Sequence, residues 1–202
     1  MNKILALSIF VTLFFTIQSC SSTTDSSNKY LKKVILQCNS CHTTENIPSL
    51  NGMDAQYLIG QLENFRFDKR GMNSLSPQTQ EMSKQAKKLK SNELQAIANY
   101  YEALPIIHST ETVPGDIDNG KLLYETNCQG CHSSIIGRFF TNSPQISHLN
   151  GPYILEQLSM FSRDERGFYV ENKHKIKMRE VSKKFSVEEL SAITAYLKSN
   201  KP

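Results

Sequence analysis

The chain has 202 residues, 23 Lys and Arg against 19 Asp and Glu, a formal net charge of +4, and 39% hydrophobic against 21% charged residues. That balance excludes a disordered chain, which carries less apolar material and a larger charge imbalance; 9 Gly and 7 Pro exclude a collagen-like or low-complexity one. A single apolar run, at the start, excludes a multi-span membrane protein, and the length allows one ordinary domain or two small ones of about 80–100 residues. Small domains often need a metal, a disulfide or a cofactor to hold them, so the five cysteines carry the question.

Residues 1–19 read as a signal peptide. Lys3 gives a basic start, and Ile4 to Ile17 is apolar with no polar face. That run is shorter than the roughly 18 residues a membrane-spanning helix needs. Ile17-Gln18-Ser19-Cys20 resembles a bacterial lipobox, with Ser19 the small residue before the cut and Cys20 the residue to be lipidated. Residues 20–28, rich in Ser and Thr, read as a flexible tether. Ordinary signal cleavage, with Cys20 lost or left as a spare thiol, is the alternative.

The other four cysteines form Cys38-Asn39-Ser40-Cys41-His42 and Cys128-Gln129-Gly130-Cys131-His132. Both are C-x-x-C-H, the pattern of c-type haem attachment. Two intervening residues let one helical turn present both thiols to the two haem vinyl groups. The adjoining histidine then lies under the iron as proximal ligand. A zinc site would not require a His after each pair, a thioredoxin-like pair prefers a strand-to-helix setting, and disulfides within C-x-x-C close very small loops.

The chain repeats itself. An offset of 96 residues carries Pro48 to Pro144, Tyr57 to Tyr153, Gln61 to Gln157, Phe65 to Phe161, Arg70 to Arg166, Met82 to Met178 and Tyr100 to Tyr196. The haem motifs are 90 apart, so the second half has six extra residues around Ile135 to Asn142, expected as a loop near the haem. Two like domains follow, 29–107 and 115–202, joined by a linker at 108–114. Helical spacing runs through Leu31–Gln37, Tyr57–Phe65 and Leu94–Leu104, and again through Asp116–Asn127, Tyr153–Phe161 and Leu190–Leu197. No segment alternates as a strand does. The fold expected is all-α, two tandem small helical bundles, each around one covalently bound haem.

An electron carrier closes the iron with a second protein ligand, and Met raises the potential relative to His. Met53, Met72 and Met82 are candidates in the first half, Met160 and Met178 in the second, but only Met82 and Met178 are superposed by the repeat. His174 is the rival to Met178. Pro48 and Pro144 fall where a carbonyl would fix the tautomer of His42 and His132. Arg70 and Arg166 suit haem propionates or surface solvation, and Tyr57 and Tyr153 either reach a haem edge or pack their helix. His108 reads as a linker surface residue and His148 as a surface or loop residue.

These residues resemble the diheme cytochrome c4 family, built from two class I cytochrome c domains in tandem. In each half C-x-x-C-H, a Pro, Y-x-x-x-Q-L-x-x-F, an Arg-Gly pair, a lone Met and a final helix ending in Tyr are similar to it. The resemblance implies His/Met iron in both domains, two haem c groups near the domain interface, and one-electron transfer between a quinol-oxidising complex and a terminal oxidase or reductase. The chain departs from the family at its first helix: Gly120 is the small residue expected where first and last helices cross, but Tyr30 stands at the matching place in the first half. The function expected is a periplasmic diheme electron carrier, tethered to a membrane through Cys20, not an enzyme and not a nucleic-acid binder. A haem subunit of a dehydrogenase and a diheme peroxidase are the alternatives. Lys173, Lys175, Lys177 and Arg179, beside Met178, present positive charge either to an acidic partner or to solvent.

Overall fold

Apolar side chains at helical spacing, with a capping side chain ahead of several of the runs, decide where the helices begin. The computed structural model describes residues 22–44, 46–71, 74–167 and 173–199, and these form helices with no strand among them. The first domain holds α1 (Ser22–His42), α2 (Ala55–Arg66), α3 (Pro77–Ala86) and α4 (Ser91–Glu102). The second holds α5 (Ile117–Asn127), α6 (Gln129–His132), α7 (Ile135–Thr141), α8 (Gly151–Ser162), α9 (Lys173–Ser182) and α10 (Val187–Ser199). The signal segment and Cys20 lie outside the described residues.

The repeat is visible in the caps. Asp54 accepts the Tyr57 N–H at 2.9 Å ahead of α2, and Asn150 accepts the Tyr153 N–H at 2.7 Å ahead of α8. Glu93 accepts the Lys90 N–H at 2.9 Å at the start of α4, and Glu189 accepts the Ser186 N–H at 2.8 Å at the start of α10. Each such cap satisfies a helix-end amide that the helix itself leaves open. The left-handed turn residues repeat as well, Asn46 with Asn142, Asp68 with Asp164 and Gly71 with Gly167.

Two expectations are corrected. Helix α1 begins at Ser22, so most of the stretch expected as a flexible tether is helical backbone, continuous with the haem-motif helix. No Gly or Pro interrupts residues 22–42, so nothing in the sequence stops the helix from running back. The six-residue insertion is a helix, α7, where a loop was expected. Ser134 accepts the Gly137 N–H at 2.8 Å at its start, and Asn142 closes it in the left-handed conformation, φ 49°. Its outer face shows Ile135, Ile136, Phe139 and Phe140, all largely exposed.

One hydrophobic cluster runs through both halves. Val34, Leu58, Ile97 and Tyr101 contribute from the first, and Tyr124, Leu149, Ile154 and Ile193 from the second. In the second half α5 crosses α10 at Gly120, where a Cβ would collide with the Ala192 carbonyl. In the first, Tyr30 is 46% exposed and bonds Glu93 instead, so α1 meets α4 without that close crossing.

Gly120→Val is expected to force α5 off α10 and cost the second domain about 2–4 kcal/mol. Gly60→Ala is the control. A Cβ there meets nothing within 4 Å in the interior of α2, and the change should stabilise by roughly 0.5–1 kcal/mol. Denaturant midpoints of the two variants check both signs.

Candidate functional site

Each C-x-x-C-H sits where a helix ends. Cys38, Cys41 and His42 close α1; Cys128 ends α5, and Cys131 and His132 lie on the short α6. All four cysteines are free thiols. Burial pushes the Cys38 thiol up and raises that of Cys128 to about 11. Among the described residues no group of three or more His, Cys, Asp and Glu gathers to hold a metal ion, so the zinc alternative finds no geometry here.

The histidines are held alike. His42 Nδ1 lies 2.8 Å from the Pro48 carbonyl and His132 Nδ1 lies 2.9 Å from the Pro144 carbonyl. A carbonyl only accepts, so Nδ1 carries the proton and Nε2 presents a lone pair. His132 Nε2 is buried with no protein partner. Burial lowers the pKa of both imidazoles and keeps them neutral. A cavity of about 330 Å³ opens on His132, walled by Tyr124, Gln129, Arg138, Tyr196 and Leu197. An orphaned imidazole nitrogen facing a cavity, with two thiols on the preceding turn, fits a c-type haem.

Met82 on α3 and Met178 on α9 occupy matching places, and both are partly buried. Met53 and Met160 are core residues, 6% and 0% exposed. Met72 and the His174 side chain lie outside the described residues. On α9, Arg179 pairs with Asp164 at 3.5 Å, so part of the basic run is engaged within the domain.

Arg70, Arg166, Tyr57 and Tyr153 come together at the boundary between the domains. Arg70 donates to Gln61 of its own domain at 2.7 Å, and to Gln157 at 2.7 Å and Tyr153 at 3.3 Å across the boundary. Arg166 mirrors this, donating to Gln157 at 2.7 Å, Gln61 at 3.0 Å and Tyr57 at 3.4 Å. Each guanidinium also lies over a phenyl ring of its own domain, Phe65 at 4.4 Å and Phe161 at 4.6 Å. Arg70 is 6% exposed, which overturns surface solvation for it, and its Nε has no partner. Among the described residues no carboxylate pairs with either guanidinium. Burial, and then Arg166, lower the Arg70 pKa; burial pushes the Tyr153 phenol up, but the two guanidiniums outweigh it and bring it down. Glu165 adds a further tie between the domains, accepting the Leu75 N–H at 3.3 Å.

Four roles went unread in the sequence. Gln61 and Gln157 are repeat partners whose amides bridge the arginines. Arg138 lines the His132 cavity from the inserted α7, which has no counterpart to reveal it. His148, expected at the surface or in a loop, lies in the turn ahead of α8 but is 2% exposed with both ring nitrogens unpartnered. Burial, then His108, Lys198 and Arg138, lower its pKa to about 4. His108 is exposed as expected.

The sequence profile of the cytochrome c family matches residues 117–201. The fold is that of cytochrome c4. The chain superposes on cytochrome c4 of Acidithiobacillus ferrooxidans with TM-score 0.63 and 24% identity, over 81% of this chain and 98% of that one. For reduced cytochrome c4 of Pseudomonas stutzeri the TM-score is 0.63 at 24% identity, over 85% and 96%. Thiosulfate dehydrogenase TsdBA of Marichromatium purpuratum gives 0.64 at 24% identity, over 81% of this chain but only 36% of that one. No curated protein sequence matches the chain. The family profile spans the second C-x-x-C-H and the first motif repeats it, so each half carries the attachment residues of one haem c.

Arg70→Lys keeps the charge but loses the fork that spans two domains. It is expected to cost about 1–3 kcal/mol and to split thermal unfolding of the holoprotein into two resolved steps, read by calorimetry. For His148, the unfolded chain takes up a proton near pH 6.5 and the folded chain only near pH 4. Stability should therefore fall as pH drops through that window, by on the order of 2 kcal/mol. In His148→Gln, urea midpoints at pH 7 and pH 5 should differ less than in the parent.

Proposed function

We propose that the chain is a diheme one-electron carrier, exported to the bacterial periplasm and held at a membrane by lipid on Cys20. The observation that carries it is the His132 imidazole, fixed by Pro144 at one nitrogen and orphaned at the other, with His42 and Pro48 repeating the hold. When bound, each haem supplies reversible one-electron iron chemistry. Cys38 and Cys41 in one domain, and Cys128 and Cys131 in the other, hold the macrocycles through thioethers. His42 and His132 would ligate the irons, and the prolyl carbonyls orient their rings and make them better donors. Met82 and Met178 would supply the second protein ligand in each domain.

Arg70 and Arg166 would hold the propionates. Arg70 is buried and Arg166 partly so; without a carboxylate partner the two like charges repel one another, and an anion between them would ease the conflict. Tyr57 and Tyr153 stand beside them as further donors. The partners on this reading are a quinol-oxidising complex on one side and a terminal oxidase or reductase on the other. No helix among the described residues is long and apolar enough to cross a membrane.

A second reading, a haem subunit of a dehydrogenase, is favoured by the likeness to one part of the larger TsdBA chain. Co-purification of a stable partner distinguishes it. A diheme peroxidase needs an open iron, and rapid peroxide turnover without the red-edge Met-to-iron absorption would establish it against the carrier.

Mass spectrometry of the mature protein should show two haem additions and an acylated Cys20; a protein without haem ends the proposal. Met82→Ala and Met178→Ala should each lower one potential, on the order of 0.1 V within the roughly 0.8 V that axial ligands span. Titrations in which neither potential moves would refute the distal assignment.

A further inference from the structure

The two domains cap their second helices differently. In the first, the Ala55 N–H donates to Glu102 Oε1 at 2.8 Å. The offset of 96 carries Ala55 to Gly151 and Glu102 to Lys198, and a lysine cannot accept. The Gly151 N–H donates instead to the backbone carbonyl of Glu111, a linker residue, at 3.0 Å. Lys198 spends its three donors on three carbonyls, Ser109 at 2.7 Å, Ser147 at 2.9 Å and Leu149 at 2.7 Å.

Further ties fasten the linker. The Ser109 N–H donates to the His148 carbonyl at 2.9 Å, and Ser191 Oγ donates to the Pro114 carbonyl at 2.5 Å. At Gly115 a Cβ would stand 2.8 Å from the Ser191 carbonyl, so the chain lies against α10 there. On the other side Ile106 covers Gly52 of the first domain. Between Ile106 and Ser109 only Ile107 and His108 are left, so the three steps between these anchors reach at most about 11 Å. The segment expected as a linker is a strap held at both ends. It makes one attachment between the domains, and the arginine cluster makes another. Two separated attachments remove the rotation that one allows.

Lys198 is where the strap meets the loop leading from Pro144 to α8. We propose that Lys198 is a positioning residue. It clips the interdomain strap to the loop that follows Pro144, and so sets the second haem domain against the first for electron exchange between the haems. The proposal rests on the diheme carrier reading.

The test uses the full holoprotein and two replacements, Lys198→Met, which keeps length but removes the donors, and Lys198→Arg, which restores them. Amide exchange at Ser109 and Gly151 reports the strap without reference to haem chemistry. Electron equilibration between the haems after photoreduction reports the positioning. In Lys198→Met exchange should quicken tenfold or more and equilibration slow several-fold, with both haem spectra and potentials unchanged; Lys198→Arg should recover most of both. Ser191→Ala, which removes one exposed hydroxyl, should move both readouts the same way by less, and carries the test if Lys198→Met does not fold. Unchanged exchange overturns the strap, and quickened exchange with unchanged equilibration overturns the positioning role. A preparation with fewer than two haems overturns the carrier reading instead, and shows itself first in the haem stain.

Discussion

An imidazole tied by one nitrogen to a backbone carbonyl has a single way to face, and its other nitrogen must find a partner or pay for burial. That constraint organises each half of the chain. The C-x-x-C-H turn closes a helix and a loop brings a prolyl carbonyl back to the ring; around His132, side chains of α5, α6 and α10 wall the cavity. In the second domain the inserted α7 belongs to the same wall, because Arg138 reaches the cavity from it while its apolar face stays outside.

The boundary between the halves is built on a different conflict. Two guanidiniums, one buried and one half-buried, share two glutamine amides and two phenols in a nearly two-fold arrangement. Amides and phenols take most of their hydrogens but not their charge, and the Arg70 Nε is left without a partner.

Much of this was legible in the residues. Two C-x-x-C-H motifs announce their chemistry, and the offset of 96 aligns helices, caps and left-handed turns alike. The carbonyls of Pro48 and Pro144 were expected beside the histidines, because a proximal ligand needs an orienting acceptor. What was missed lies where the copies differ. The α7 insertion has no counterpart from which to infer Arg138, and His148 replaces a glycine, so neither comparison nor helical spacing marks it as buried. Arg70 was ambiguous because a guanidinium suits surface, propionate and interface equally. Only the fold shows that it faces the other domain.

The exchange of Glu102 for Lys198 also bears on ancestry and modularity. A unit that caps its own helix can be lifted out whole, and the first half does so through its own glutamate. The second half borrows its cap from the chain that precedes it. After a duplication of this kind the copies are no longer interchangeable: reversing their order, or expressing the later one alone without its leading segment, strips it of an acceptor and leaves an ammonium with one fewer oxygen to hold.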